Sequence, residues 1–158
     1  MRSGHESVAV LSPLPGRCVE LSRVPDPVFS QGLVGGGAAV EPDRDAGRLT
    51  AIAPLEGRVI KVMPHAYIVQ HPSGAAVLVH VGIDTVNLKG EGFTVHAAKG
   101  DQVRAGDPMV EVDVALVRAK GLSACSPVVV LDTAPDAVTP SDVGSQVAAG
   151  APLFDLPE

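Results

Sequence analysis

The sequence predicts an all-β fold, an antiparallel β-sandwich or barrel of many short strands with an internal duplication and minimal helix. Glycine and proline account for 17 and 14 of the 158 residues, and they divide the chain into short apolar runs that are typical of strands and turns. Hydrophobic residues make up 46% but aromatic residues only 3%, so we expect an aliphatic core. The length favours a single domain over 8–158, preceded by a disordered polar N-terminus over 1–7.

Two short motifs occur twice and indicate the duplication. The first, P-L-x-G-R followed by alternating apolar residues, stands at 13–17 and again at 54–58. The second, V-x-A-G-x-P followed by two apolar residues, stands at 103–110 and again at 147–154. Repeated motifs of this kind indicate that one structural unit occurs twice in the fold.

The elements follow from the apolar runs and the turn residues between them. In order, we expect a strand over 8–11, a rigid extended connection over 24–29, a strand after the glycines 35–37, a central hairpin over 65–80, a hairpin over 103–112, a helix over 113–120, a strand over 126–130 and a last hairpin over 140–156. Asp113 can cap the helix. The triple glycine lacks the G-K-S/T continuation of a phosphate-binding loop, so a bulged or closely approached turn before a strand is favoured.

Composition excludes several classes of function. The net charge is −6 and no run of Lys or Arg could neutralise phosphates, so nucleic acid is not an expected partner. No apolar run reaches the roughly 18–20 residues of a membrane helix, and no secretory signal is visible, so direct membrane insertion is not expected and a cytoplasmic location is. Cys18 and Cys125 lack zinc-ligand spacing and are expected to be structural thiols.

The central hairpin carries the candidate site. The sequence H-P-S-G at 71–74 is a turn signal, because proline presets the first corner and glycine tolerates positive φ at the exit. If Pro72 and Ser73 are the two corner residues, His65 lies directly opposite His80. Opposed residues have Cβ atoms roughly 4.5–5.5 Å apart, so the turn would place two imidazoles side by side, and a register slip of one residue would separate them.

Two facing imidazoles can carry out group transfer. Repulsion between the rings disfavours double protonation, so one neutral ring can act as a nucleophile while the other exchanges a proton or steadies an anion. The tautomer of each ring is fixed by a hydrogen bond from the nitrogen that does not react. Gly82, two residues after His80, can provide that bond from its backbone, and Asp84 can orient either ring or repel the wrong ligand.

The segment 79–93, VHVGIDTVNLKGEGF, resembles the signature of the glucose-type enzyme IIA (EIIA) domain of the bacterial phosphoenolpyruvate-dependent sugar phosphotransferase system. Further segments that resemble this family are found at 12–16, 24–29, 33–37, 103–110 and 126–130. The resemblance therefore extends over nearly the whole chain.

The resemblance implies a β-sandwich of the duplicated hybrid motif and a phosphotransferase component that needs no cofactor. It implies that His80 accepts the phosphoryl group from the phosphohistidine of HPr, that His65 stabilises it, and that a cysteine on the IIB domain of a sugar permease is the acceptor. A transient partner requires an apolar, weakly charged face, for which Val34, Val81 and Ile83 are candidates. A glucose, N-acetylglucosamine or β-glucoside permease is compatible, and regulatory binding to other enzymes or transporters is left open.

The chain departs from the family pattern near both histidines. Met63 stands two residues before His65, where the family usually has Thr, so a hydroxyl that would bond the imidazole is missing. Val81 follows His80, whereas relatives are often richer in Phe around the site. How His65 is oriented, which sugar is served and the oligomeric state stay open at this point.

Three other hypotheses on the function stand beside that of a phosphoryl carrier. A regulatory binding module would require that His80 is never phosphorylated. A lysostaphin-like zinc peptidase would use the H-x-x-x-D spacing of His80 and Asp84, but the H-x-H pair of such enzymes is absent and a catalytic zinc needs three protein ligands. Zinc held by His65 and His80 with ligands from a partner is a more plausible metal site. A biotinyl or lipoyl carrier needs a lysine at a hairpin tip, which neither Lys61 nor Lys99 provides.

Overall fold

The computed structural model describes residues 7–157 and consists mainly of short strands. The strands are β1 (Ala9–Leu11), β2 (Gly16–Glu20), β3 (Gly35–Glu41), β4 (Arg48–Ile52), β5 (Gly57–Met63), β6 (Ala66–Gln70), β7 (Ala76–His80), β8 (Phe93–Val95), β9 (Gln102–Val103), β10 (Pro108–Asp113), β11 (Ser126–Leu131), β12 (Gln146–Val147) and β13 (Pro152–Asp155). Two short helices, α1 (Pro27–Ser30) and α2 (Val114–Ala119), and two 3-10 turns, Leu21–Arg23 and Thr85–Leu88, complete the described elements. The disordered N-terminus was expected over 1–7, and residues 1–6 lie outside the described range.

The sheets are antiparallel throughout, which confirms the predicted all-β class. Eight strands form the large sheet in the order β12-β2-β3-β11-β7-β6-β5-β9. A three-stranded sheet, β4-β10-β8, and the pair β1-β13 accompany it. The strands β11 and β7, at the centre of the large sheet, meet through Val129 and Leu78.

The sheet registers reproduce the two sequence repeats and confirm the duplication. In the large sheet, Gly16 pairs with Val147 and Gly57 pairs with Val103, so each copy of the first motif pairs with a copy of the second. Outside the large sheet, β1 pairs with β13 and β4 pairs with β10 in the same corresponding way. The order of the large sheet therefore reads the same when the two halves are exchanged, with β7 and β11 as corresponding strands at its centre.

The hairpins expected over 103–112 and 140–156 do not form. In both segments the second strand leaves for another partner: β9 pairs with β5 while β10 pairs with β4 and β8, and β12 pairs with β2 while β13 pairs with β1. Gly106 and Gly150 hold positive φ values of 95° and 88° at these turns. The chain therefore turns at the predicted glycines, but each turn leads it to a different sheet and not back along the preceding strand.

Of the two short helices, α2 was predicted from the sequence and α1 was not. The helix expected over 113–120 is α2, and the Asp113 side chain accepts a hydrogen bond from Leu116 N at 3.1 Å, as a cap should. The segment 24–29 was expected to be extended, but α1 begins within it. Asp26 accepts from Val28 N at 2.9 Å and Pro27 occupies the first helical position, so an N-cap signature was present in the sequence.

The apolar residues form two clusters on opposite faces of the large sheet. In β7, Val77 and Val79 are fully buried in the main aliphatic core, whereas Leu78 points the other way. The second cluster, called the outer cluster below, consists of Leu21, Val24, Phe29, Ala39, Ile83, Cys125 and Val129. Strand alternation places His80 on the same face as Leu78, so its side chain lies at the edge of the outer cluster.

The triple glycine belongs to β3 and faces neighbouring backbone. A Cβ atom on Gly35 or Gly37 would collide with carbonyl oxygens of β11, so a side chain has no room there. The predicted close approach of neighbouring backbone is therefore confirmed, but the glycines form the start of β3 itself and not a turn before it. Among the described residues, no helix is long and apolar enough to cross a membrane.

Candidate functional site

The imidazole rings of His65 and His80 are in contact. Their centroids are 5.1 Å apart and their planes meet at 73°. His80 is the last residue of β7, and His65 is a corner residue between β5 and β6, directly after Pro64. Proline fixes φ at the first corner of such a turn, so the backbone that carries His65 is short and restrained.

The register that brings the rings together differs from the predicted one. His80 pairs with Ala66, not with His65, because the turn after β6 has three corner residues and not two. Gly74, at φ +97°, takes the extra position, and His71 N bonds Ala75 O at 2.8 Å across the turn. A slip of one residue should separate the rings along a regular strand. They still meet because His65 lies outside β6, where strand alternation no longer sets its direction.

The tautomer of His80 is determined by Gly82. The His80 Nδ1 atom lies 2.6 Å from the Gly82 carbonyl oxygen. A carbonyl only accepts, so Nδ1 carries the proton and donates it. In the neutral ring the lone pair then resides on Nε2, which makes Nε2 the nucleophilic atom.

Gly82 lies where a side chain does not fit. Its φ is +77°, and a Cβ atom would stand 2.6 Å from Thr85 Cγ2 and 3.0 Å from Ser123 O. The neighbouring backbone is bonded on both sides: Thr85 Oγ1 donates to Val81 O at 2.7 Å, and Ile83 N donates to Ser123 O at 2.9 Å. This network holds the Gly82 carbonyl against His80.

Phe29 is a site residue that the sequence reasoning missed. Its ring lies 5.2 Å from that of His80, at an interplanar angle of 57°. The capped turn of α1, with Asp26 as the N-cap, carries it there. The D-P-V-F signature at 26–29 could have indicated a fixed aromatic side chain. Phe29 also supplies the aromatic neighbour whose absence was inferred from Val81.

Burial lowers the pKa of both histidines. For His80, desolvation is the largest cause; the bond to Gly82 and the negative charges of Asp26 and Asp84 oppose it without reversing it. For His65, burial lowers the pKa and the neighbouring charge of His80 lowers it further. Both rings are therefore neutral at pH 7, which is the state that a nitrogen nucleophile needs.

The predicted supporting residue Asp84 lies close to the histidines but does not bond them. It adopts the left-handed region at φ 59° and precedes the 3-10 turn, and its exposed side chain makes no capping bond. Its effect on His80 is electrostatic. Asp26 acts in the same sense from α1, and it was not among the predicted site residues.

Two of the three candidates for the docking face are covered by the chain itself. Val81 and Ile83 are only 2% and 3% exposed, because Val81 faces the main core and Ile83 packs in the outer cluster. Val34 is half-buried beside the outer cluster. The expectation of an exposed face is therefore corrected for Val81 and Ile83. Exposed apolar side chains in the flanking segments are Val28, Leu33 and Val86, with Leu33 at 70%.

The ring nitrogens of His65 form no hydrogen bond with the described residues, as the replacement of the family threonine by Met63 predicts. Among the described residues, the histidine ring nitrogens that form hydrogen bonds are those of His71 and His80. Met63, half-buried at the end of β5, offers no hydroxyl. The position of His65 therefore depends on its corner backbone, on its burial at 8% exposure and on the ring of His80.

The described part of the chain contains no group of three or more His, Cys, Asp or Glu side chains placed to hold a metal ion. His80 and Asp84 therefore lack the further ligands that a hydrolytic zinc site requires. The residues that come together are a nucleophilic imidazole of fixed tautomer, a second neutral imidazole and an aromatic wall. This arrangement can carry a transferable group on nitrogen.

The fold and the histidine pair suit a protein that carries a group on nitrogen, and comparison with known proteins identifies the family. Residues 8–135 match the family described as phosphoenolpyruvate-dependent sugar phosphotransferase system, EIIA 1. The chain is 41% identical over 143 residues to the glucose-specific EIIA component of Halalkalibacterium halodurans, covering 89% of this chain and 80% of that protein. The chain belongs to this EIIA family and is a phosphoryl carrier of the glucose type.

Two further relatives extend the comparison. The glucose permease IIA of Mycoplasma capricolum matches with a TM-score of 0.82 at 30% identity, covering 98% of this chain and 99% of that one. The mannose-specific EIIBCA component of Corynebacterium glutamicum is 45% identical over 131 residues, which are 82% of this chain but 19% of that protein. In that relative the matching region is thus one part of a longer chain.

Proposed function

We propose that His80 carries the phosphoryl group, on Nε2. The observation that supports this most strongly is the 2.6 Å contact between His80 Nδ1 and the Gly82 carbonyl. It reserves the proton for Nδ1 and leaves the Nε2 lone pair available. Phosphoryl transfer asks the protein mainly for positioning and charge stabilisation, and a preset tautomer removes one reorganisation from the reaction.

The donor is the phosphohistidine of HPr and the acceptor is a cysteine of a IIB domain. In the first step, the N–P bond of the donor breaks as the Nε2–P bond forms, and the His80 proton stays on Nδ1. In the second step, a thiolate attacks phosphorus, the Nε2–P bond breaks, and the ring returns to the neutral tautomer. Each step exchanges one bond to phosphorus for another, so no cofactor is required.

His65 stabilises the phosphoryl group in this proposal. Its ring lies 5.1 Å from that of His80 by centroids, close enough to reach a group carried on that ring. Burial and the charge of His80 lower the pKa of His65, but a phosphoryl anion at His80 would have the opposite effect. His65 would then donate an N–H to a phosphoryl oxygen, and the absence of the family threonine leaves its ring free to turn toward that oxygen.

Partners dock on the surface around α1 and the 3-10 turn after His80. Val28, Leu33 and Val86 supply exposed apolar area there, while Val34 borders it and Ile83 packs beneath it in the outer cluster. Asp26 and Asp84 add negative charge close to His80. A surface with apolar and cationic groups would be complementary to this face, and electrostatic attraction would speed the encounter.

Residues 8–158 act as one domain, and the location is cytoplasmic, where HPr and the IIB domain would be met. Regulation of other enzymes or transporters would use the same docking face in the unphosphorylated state. Zinc bound by His65 and His80 would need further ligands from the partner, since the described residues supply no third one.

The test is intact-mass spectrometry after incubation with phosphoenolpyruvate, enzyme I and HPr. Wild type, His80→Gln and His65→Gln are compared with His96→Gln, a control at an exposed histidine that faces Glu111 at 3.7 Å. We expect an acid-labile phosphate on wild type, His65→Gln and His96→Gln but not on His80→Gln. Onward transfer to the IIB domain should be impaired in His65→Gln. Absence of phosphate on wild type with competent donors would overturn the proposal and favour a regulatory binding module.

A further inference from the structure

We infer that Ser126 is a positioning residue for phosphoryl transfer, because its hydroxyl fixes the Gly82 backbone and Gly82 in turn fixes His80. The inference rests on the proposed role of His80. Ser126 is the first residue of β11 and is 0% exposed. It does not touch the reacting ring, so its action passes through Gly82.

The hydroxyl of Ser126 is itself held in one orientation. Ser126 Oγ donates to the Ala124 carbonyl at 2.9 Å and accepts from Gly82 N at 3.1 Å. Since Ala124 O can only accept, the hydroxyl proton points to it and a lone pair faces Gly82. The strand backbone beneath is fixed by pairing of Ser126 with Val40 in the neighbouring β3.

The Ser126 hydroxyl restrains the Gly82 backbone, whose dihedral angles would otherwise change easily. Glycine has no Cβ and visits many backbone conformations, and Gly82 stands at φ +77°. The peptide before it is held at its oxygen by Thr85 and at its N–H by Ser126. Without the second bond, that peptide can tilt, and the tilt passes to the carbonyl that accepts from His80.

The buried hydroxyls cluster at this site. The buried polar or charged residues of the described chain are Ser12, His65, Thr85 and Ser126, and all but Ser12 lie beside Gly82 or His80. Buried hydroxyls are retained only where their bonds are satisfied. Here the hydroxyls of Thr85 and Ser126 bond the C=O and the N–H of one peptide unit, Val81–Gly82, next to the proposed nucleophile.

Ser12 offers a matched control. It is also 0% exposed, and its Oγ also donates to a carbonyl two residues away, that of Leu14, at 2.6 Å. Its backbone bonds Gly150 and Ala151 near β13, away from the histidines. Ser12→Ala therefore removes a buried hydroxyl of the same kind without altering the backbone of Gly82.

The experiment compares Ser126→Ala, Ser126→Thr and Ser12→Ala with wild type by two measurements. Imidazole ¹⁵N spectra of the unphosphorylated protein report the His80 tautomer. The rate of phosphoryl transfer is measured as a function of phospho-HPr concentration, which gives the rate at saturation and the KM separately. For Ser126→Ala we expect a mixture of tautomers and a saturating rate reduced about tenfold, as expected for a misplaced reacting group, with KM changed less than about twofold. Ser126→Thr and Ser12→Ala should resemble wild type.

The tautomer measurement needs no phosphate and so tests the inference separately from the proposed function. If wild type accepts no phosphate, the proposed function fails while the ¹⁵N spectra still decide the role of Ser126. An unchanged tautomer in folded Ser126→Ala would overturn the inference, as would equal effects of Ser126→Ala and Ser12→Ala. Should Ser126→Ala not fold, Ser126→Cys, which keeps the size but accepts hydrogen bonds weakly, is read in the same way.

Discussion

The edge of one imidazole meets the face of another where His65 and His80 lie 5.1 Å apart by ring centroids, at 73° between their planes. His80 is held by regular strand pairing with Ala66, whereas His65 lies outside β5 and β6. The contact exists because a tight corner carries His65 past the end of its strand. Two imidazoles are thus held side by side, and the proton of His80 is committed to Nδ1 by the Gly82 carbonyl.

The first prediction concerns the fit of Gly82. Gly82→Ala should lower the free energy of unfolding by about 2–4 kcal/mol, since it combines a left-handed backbone with a contact at 2.6 Å to Thr85. Gly121→Ala is the matched control, because φ is +78° there but nothing lies within 4 Å of an added Cβ. It should cost about 1 kcal/mol. Urea denaturation measures both, and equal losses would contradict a tightly packed Gly82.

The second prediction is a pH dependence of stability. The pKa of His65 and of His80 is lowered in the folded state from the ordinary 6.5, so the unfolded chain takes up protons first as pH falls. The free energy of unfolding should be unaffected by these groups well above pH 6.5 and decrease as pH falls below 6.5 through the two lowered values. Urea denaturation at pH 7.5 and 5.5 should show this loss.

The control for the pH dependence is the double variant His65→Gln/His80→Gln. The loss between pH 7.5 and 5.5 should be smaller in this variant than in wild type, because both titrating rings are removed. Carboxylates titrate mainly below this range and affect both proteins alike. Parallel stability curves for the two proteins would show that the histidines are not the cause.

The third prediction tests the docking surface. Leu33→Ser should raise the KM for phospho-HPr about tenfold with little change in the saturating rate, because a side chain that is 70% exposed contributes to binding and not to the reacting ring. Stability should change by less than about 0.5 kcal/mol. Val95→Ser, at another exposed valine, on β8, is the control and should leave the KM unchanged. Equal KM values for the two variants would place the docking surface elsewhere.

The fourth prediction concerns the cysteines. Burial raises the pKa of Cys125 to about 12 and also raises that of Cys18, so neither thiol should form a reactive thiolate near neutral pH. A thiol reagent at pH 8 should label the native protein slowly and label both positions once urea unfolds it. A Val143→Cys variant, placed at an exposed side chain, should add one rapidly labelled thiol. Fast native labelling of wild type would show that a cysteine is accessible.

Much of the fold followed from short sequence signals. The repeats at 13–17 and 54–58 predicted a duplication because the same residues must satisfy the same strand pairing twice, and Gly16 and Gly57 indeed occupy corresponding positions. Asp113 predicted a helix start because its carboxylate satisfies a free N–H. The hairpins over 103–112 and 140–156 failed because a glycine turn indicates a change of direction but not the strand that the chain will meet.

The strand-rich class, the duplication and the family could be predicted from the sequence alone, and so could the choice of His65 and His80 as candidate site residues, because periodicity, turn chemistry and a long family signature are local properties of the chain. The three-residue turn at Gly74, the burial of Val81 and Ile83, and the approach of Phe29 to His80 emerged from the three-dimensional structure. It alone revealed the bond between Ser126 and Gly82, residues far apart along the chain. Contacts of this kind depend on which strands become neighbours in the sheet, and the core packing that selects those neighbours involves the whole chain at once.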